Sequence, residues 1–132
     1  MIRPTTFLSS LRLNRHISRD ILLACETFQH TGSFKFRAAW HLVSNIPNDH
    51  LLTASSGNFG QALAMACREM QKHCTVVMPN TSAAVKVAAV REFGGCVEFV
   101  DVQEEATRSS HRGVGPTESE CLRRQWVITT NS

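Results

Sequence analysis

From residue 51 onward the chain alternates between two kinds of segment, and that alternation sets the fold class. Leu51–Ala54, Cys74–Met78 and Cys96–Val100 are short runs of apolar or β-branched residues. Such runs suit strands buried on both faces. Between the first two, Phe59, Ala62, Leu63, Ala66, Cys67 and Met70 make one helical face, against Arg68, Glu69, Gln71 and Lys72 on the other. Between the second pair, Val85, Ala88, Ala89 and Phe93 recur at helical spacing. Thr81 or Ser82 is placed to cap that helix, and Gly94-Gly95 to close it. The order β-α-β-α-β predicts an α/β fold: a parallel sheet with helices on both faces and right-handed crossovers. Ligands of such sheets gather at the C-terminal ends of strands. That rule points to Ser55–Gly57 and to Pro79–Thr81.

Upstream, Ile21–Cys25 reads as a strand and Glu26–Gly32 as a loop. Ser33 is placed as a helix N-cap. Phe34, Ala38, Leu42 and Ile46 then fall four apart, with Ala39 and Val43 beside them, until Pro47 ends the helix. Downstream, Glu104–Arg112 suits one more helix, Gly113-Val114-Gly115-Pro116 breaks the pattern, and Trp126–Ile128 is a short apolar remnant.

Composition narrows the function classes. The 132 residues are 42% hydrophobic and 19% charged, enough for a packed core. The net charge of +3, with no basic block, argues against nucleic acid. No apolar run approaches the ~20 residues of a membrane-spanning helix. The five cysteines form no CxxC pair, and Cys67, Cys74 and Cys96 lie in apolar segments. They are expected to be buried free thiols in a reducing compartment, which makes cytoplasm the expected location. The six histidines show no ligand spacing, so no metal site is expected. Lys86 reads as a solvated charge, and Trp40 and Phe93 as core. Arg3, Arg12, Arg15 and Arg19 near the start would also suit a transit peptide.

Two segments carry chemistry. In Glu26-Thr27-Phe28-Gln29-His30-Thr31-Gly32-Ser33-Phe34-Lys35-Phe36-Arg37, Lys35 stands in the first turn of a helix among apolar neighbours. The helix dipole and the apolar surroundings both disfavour its ammonium form, and a neutral lysine amine attacks carbonyls. An ordinary surface lysine at a helix start fits the same spacing. In Thr53-Ala54-Ser55-Ser56-Gly57-Asn58-Phe59-Gly60-Gln61 a strand runs through a small polar turn into a helix. Backbone N–H groups there suit an anion. The plain alternative is a β–α turn with Asn58 or Ser56 as its cap.

Together, ETFQHTGSFKFRAA, SSGNFGQALA and TVVMPNTSAAVKVAAVREFGGCVEFV resemble the fold-type II pyridoxal-phosphate enzymes, in the threonine/serine dehydratase and serine racemase branch. The resemblance runs from about Thr5 to Val102 and displaces the transit-peptide reading. It implies a tryptophan synthase beta-like fold with pyridoxal 5'-phosphate as cofactor. Lys35 matches the lysine that forms the internal aldimine, and Phe34 the residue packed beside the cofactor ring. Asn58 matches the asparagine bonded to the cofactor's phenolic oxygen. Ser55, Ser56 and Gly57 match the loop that holds the substrate carboxylate, and Ser56 also the second acid/base of the racemases. Gln29 and Thr31 match polar residues leading into the lysine helix. The implied reaction is β-elimination from a hydroxy amino acid such as L-threonine or L-serine, giving a 2-oxo acid and ammonia. Racemisation using Ser56 is an alternative.

The sequence departs from the family at Ala24, where a lysine is usual, and at Ala38, where a glycine is usual. The resemblance also places the glycine-rich phosphate loop past residue 132. Residues 1–50 are expected to belong to a larger domain that is incomplete here, and 51–112 to a smaller α/β domain. Residues 113–132 are an unassigned, divergent tail. An inactive fragment, or a remnant that binds a small anion or amino acid, is therefore the other reading. Pairing with a second copy, as a homodimer, or with the missing second half would cover the exposed strand edges.

Overall fold

The computed structural model describes residues 1–101 and the backbone of a strand at 127–129. The expected helix at 104–112 and the break at 113–116 lie outside the described residues. Strands β3 (His50–Ala54), β4 (His73–Pro79) and β5 (Cys96–Val100) pair in parallel, and helices α3 (Asn58–Glu69) and α4 (Ala84–Glu92) connect them. The register sets Leu51 beside Cys74 and Val76 beside Val97. A further strand, β6 (Val127–Thr129), runs antiparallel to β3, giving the sheet order β5-β4-β3-β6. The apolar remnant at 127–128 is thus part of the sheet.

Side chains alternate across the strands. Leu51, Cys74, Val76 and Met78 share one core with Phe36, Ala39 and Val43 of α2 (Lys35–Asn45), with α3 and with α4. Leu52, Ala54, Val77 and Val100 cluster on the opposite face. Helix α3 is buried beyond its predicted stripe, since Gly60, Gln61 and Ala64 are covered as well. Trp40 and Phe93 pack against this core as expected.

Two helical faces differ from the sequence reading. In α2 the buried side chains are Phe36, Ala39 and Val43, while Phe34 and Ala38 are exposed. Arg37, next to Phe36, is drawn to Glu26, and this fixes the roll of the helix. In α4 the buried pair is Val87 and Val90, whereas Val85 is exposed. Its charged residues, Lys86, Arg91 and Glu92, are spread around the helix, so periodicity alone did not orient it. Nor do the expected hydroxyl caps act: Phe34 and Ala83 hold the N-cap positions, with no side-chain bond. Cys67 and Cys74 are buried free thiols, but Cys96, at the start of edge strand β5, is exposed. Cys121 lies outside the described residues.

The first 25 residues are built differently. Strands β1 (Thr6–Leu8) and β2 (Leu23–Cys25) form an antiparallel pair, so the expected strand is shorter than Ile21–Cys25. Helix α1 (Leu11–Ile17) lies between them, capped by the Ser10 hydroxyl, and buries no residue.

Candidate functional site

Strand β3 ends in the Ser55–Asn58 turn. The Ser55 N–H donates to the Val77 carbonyl (3.1 Å), adding one backbone bond beyond the strand. Ser55 is 1% exposed, and its Oγ accepts from the N–H groups of Gly60 (3.1 Å) and Gly57 (3.4 Å). The helix starts behind Gly57, which has no side chain to cap it. Ser55 therefore supplies the capping oxygen from two residues upstream. The simple reading with Asn58 or Ser56 as cap does not hold, and both side chains are exposed.

The packing requires Gly60. A Cβ there would lie 2.9 Å from Val76 Cγ1 and 3.0 Å from the Ser55 carbonyl oxygen. Only a bare backbone lets α3 start this close to β4. Sequence reasoning did not single out Gly60. Its signal was a second glycine three residues after Gly57, at a helix opening.

Lys86 is the second residue that was missed. Its Nζ donates to Asn58 Oδ1 at 3.0 Å, reaching from the first turn of α4. It is therefore not a free solvated charge.

The lysine segment is held from its polar side. Arg37 Nε donates to Glu26 Oε2 (2.8 Å), and Arg37 Nη2 donates to the Arg3 carbonyl (2.9 Å) and to Thr5 Oγ1 (2.6 Å). Thr5 in turn donates to Glu26. Arg37 and Thr5 hold the Glu26 carboxyl below its usual range. Gln29 is buried and pairs with the Arg3 backbone through both ends of its amide. Gly32, at φ +68°, turns the chain into Ser33, Phe34 and Lys35. Phe34 is 58% exposed, and Lys35 Nζ sits 4.8 Å from its ring centroid. Thr31 Oγ1 and Ser33 Oγ are buried without a hydrogen-bond partner.

The helices that follow the two segments, α2 and α3, are joined at their C-terminal ends. Lys72, just past α3, donates to the Val43 and Ile46 carbonyls at the end of α2. Ser44 Oγ lies 3.8 Å from Met70 Sδ. The C-terminal ends of α2 and α3 therefore meet. Helices α2 and α3 have 11 and 12 residues, and Lys35 and Asn58 open them. Among the described residues no hydrogen bond joins Lys35 to the Ser55–Asn58 turn.

Comparison with known proteins decides the family. A profile described as "Pyridoxal-phosphate dependent enzyme" matches residues 1–126. The chain belongs to the pyridoxal-phosphate-dependent enzyme family. It is similar to the L-threo-3-hydroxyaspartate ammonia-lyase of Pseudomonas sp, with 39% identity over 101 residues, which is 74% of this chain and 32% of the relative. Its fold is similar to the serine racemase of Dictyostelium discoideum, with TM-score 0.75, 32% identity and coverage of 83% of this chain and 37% of that one. The threonine deaminase isoform 2 of Solanum lycopersicum gives TM-score 0.71 and 28% identity, covering 76% and 29%. The chain thus spans about a third of the length of the relatives it matches. The fold is fold-type II, and pyridoxal 5'-phosphate is the cofactor of the family. Among the described residues no helix is long and apolar enough to cross a membrane.

The residues present fit this cofactor on its ring side. An exposed aromatic ring stands beside a primary amine, and two unpartnered hydroxyls precede them. Asn58 opens α3 with its side chain exposed.

Proposed function

We propose that this chain carries the lysine-bearing part of an ammonia-lyase that acts on a hydroxy amino acid such as L-threonine or L-serine. Residues 1–50 would belong to the larger domain of such an enzyme and 51–112 to the smaller. When bound, the cofactor supplies an electron sink for the charge left at Cα. Lys35 Nζ would hold the cofactor and would serve as the base for the Cα proton. The Phe34 ring borders the cofactor ring. Asn58 Nδ2 donates to the cofactor's ring oxygen. The Ser55–Gly57 turn would bind the substrate carboxylate through the exposed Ser56 at the start of α3, since the Ser55 and Gly57 N–H groups are already bonded. Loss of the β-hydroxyl then leads to a 2-oxo acid and ammonia.

One observation supports this reading most. Ser55 takes over the capping of α3, which leaves Ser56 and Asn58 exposed at the start of that helix. Ser56 supports a second reading, racemisation, because its exposed hydroxyl suits a second acid/base.

The test is an absorbance spectrum of the purified chain with pyridoxal phosphate, before and after borohydride. A visible band that reduction fixes at residue 35, absent in Lys35→Ala, is the expected result. Ammonia release from serine or threonine would then separate elimination from racemisation. A folded chain that gives no band would favour a remnant that binds only a small anion or amino acid.

A further inference from the structure

We propose that Lys86 is a positioning residue that sets which way the Asn58 amide faces. An ammonium group has donors and no acceptor, so the asparagine atom facing it must be the oxygen. The 3.0 Å contact from Nζ to Oδ1 meets that requirement. Both Nδ2 donors are then turned away from Lys86. Asn58 consequently offers a donor to an oxyanion and rejects a donor-bearing group.

The placement of Lys86 argues for orientation over stability. A cation in the first turn of α4 opposes the helix dipole. Among the described residues Lys86 forms no ion pair with a carboxylate. The Gly94-Gly95 turn packs closely on α3. A Cβ on Gly95 would stand 2.9 Å from both Ala64 Cβ and Val90 Cγ1. That packing holds α4 beside α3, and the Lys86 side chain spans the remaining distance to Asn58.

The orientation of the amide stands on this contact alone. Its target, the ring oxygen of bound pyridoxal phosphate, rests on the function proposed above. The experiment separates the two. In the ¹⁵N-labelled full chain, the Asn58 side-chain amide signals are identified by their loss in Asn58→Ala. They are then compared between wild type, Lys86→Met and Lys86→Arg, with backbone amides reporting the fold. The expected result is a resolved wild-type pair that moves to the free-asparagine position in Lys86→Met and stays in place in Lys86→Arg, which keeps donors of similar reach. Should Lys86→Met lose its backbone dispersion, Lys86→Leu takes its place and is expected to shift the signals likewise. Unchanged Asn58 signals in a folded Lys86→Met, or an Arg variant that behaves like Met, would overturn the proposal. In the same samples, pyridoxal phosphate is expected to bind about tenfold more weakly to Lys86→Met, the size of one charge-assisted hydrogen bond. If the wild type gives no cofactor band while the Asn58 signals respond, the cofactor reading fails and the positioning role stands.

Discussion

The two halves of this chain are held together by different forces. Between residues 50 and 100, β4 buries five of its seven residues, and α3 is covered on most of its circumference. Between residues 6 and 25 the strands have three residues each, α1 buries none, and Phe7, Leu8, Leu11, Leu22 and Leu23 are exposed. Order there comes from polar bonds, such as Asn14 accepting the Ile21 N–H and donating to Asp20. A hydrogen bond of this kind contributes about 0.5–1.5 kcal/mol, and a fully buried leucine about 1.5–3. Helix α2 lies on the boundary. Its Phe36 side joins the core, and its Arg37 side joins the polar network. Lys35 is thus aimed by both halves, so its placement is sensitive to damage in either.

The sharpest way to break the contrast is a cavity in the sheet half. Leu63 is fully buried against the shared core. Leu63→Ala should cost about 3 kcal/mol, from lost transfer energy plus an unfilled cavity. Urea unfolding followed by circular dichroism would read it as a fall in midpoint at constant slope. A loss below about 1 kcal/mol would mean that α3 is less tightly packed than described.

Gly60→Ala tests the joint between core and site. The new methyl would stand 2.9 Å from Val76 Cγ1 and 3.0 Å from a backbone oxygen, which cannot rotate away. A cost of about 2 kcal/mol is expected from overpacking. The displacement should also weaken the Ser55 cap, seen as faster amide exchange at residue 60.

The network half should respond to acid instead. Arg37 and Thr5 hold the Glu26 carboxyl below its usual range in the folded chain. Its stabilising contribution is therefore complete above the ordinary carboxylate range and is lost as pH falls through the lowered folded value. Amide protection around Arg3 and Thr5 should drop on acidification below about pH 4, while β3 and β4 amides keep theirs. Glu26→Gln should lack that step and show the weakened state already at neutral pH. Matching acid profiles for wild type and Glu26→Gln would remove Glu26 from the account.

What was legible in the sequence follows the same division. The strands β3, β4 and β5 could be read because continuous apolar runs have few other uses in a soluble fold. The face of α3 could be read because charge marks its other side. The roll of α2 could not, since it depends on Arg37 meeting Glu26 across eleven positions of sequence. Helix α4 carried no charge pattern strong enough to orient it. At the site, the Ser55–Asn58 turn and the Lys35 segment stood out as motifs. The junction of the helices that follow them did not, because it depends on Lys72 reaching the C-terminus of α2. Gly60 and Lys86 were missed for a related reason. Each acts through one close neighbour that is distant in sequence, Val76 and Asn58 respectively.

The smallest effect is expected at Leu11, and it carries its own information. Leu11 is 76% exposed on a helix that buries nothing. In a helix of a packed domain, Leu to Ala would cost about 2–5 kcal/mol. Here there is no cavity to leave and little transfer energy to lose, so Leu11→Ala should stay within about 0.5 kcal/mol. Alanine's slightly better helix propensity pulls weakly the other way. Paired with Leu63→Ala under the same urea conditions, the substitution compares one chemical change in two settings. A cost at Leu11 near that at Leu63 would mean that α1 is covered in solution, and the contrast between the halves would fall. A near-zero change would locate the stability of the chain in the sheet half, leaving the polar network to orient the segment that leads into Lys35.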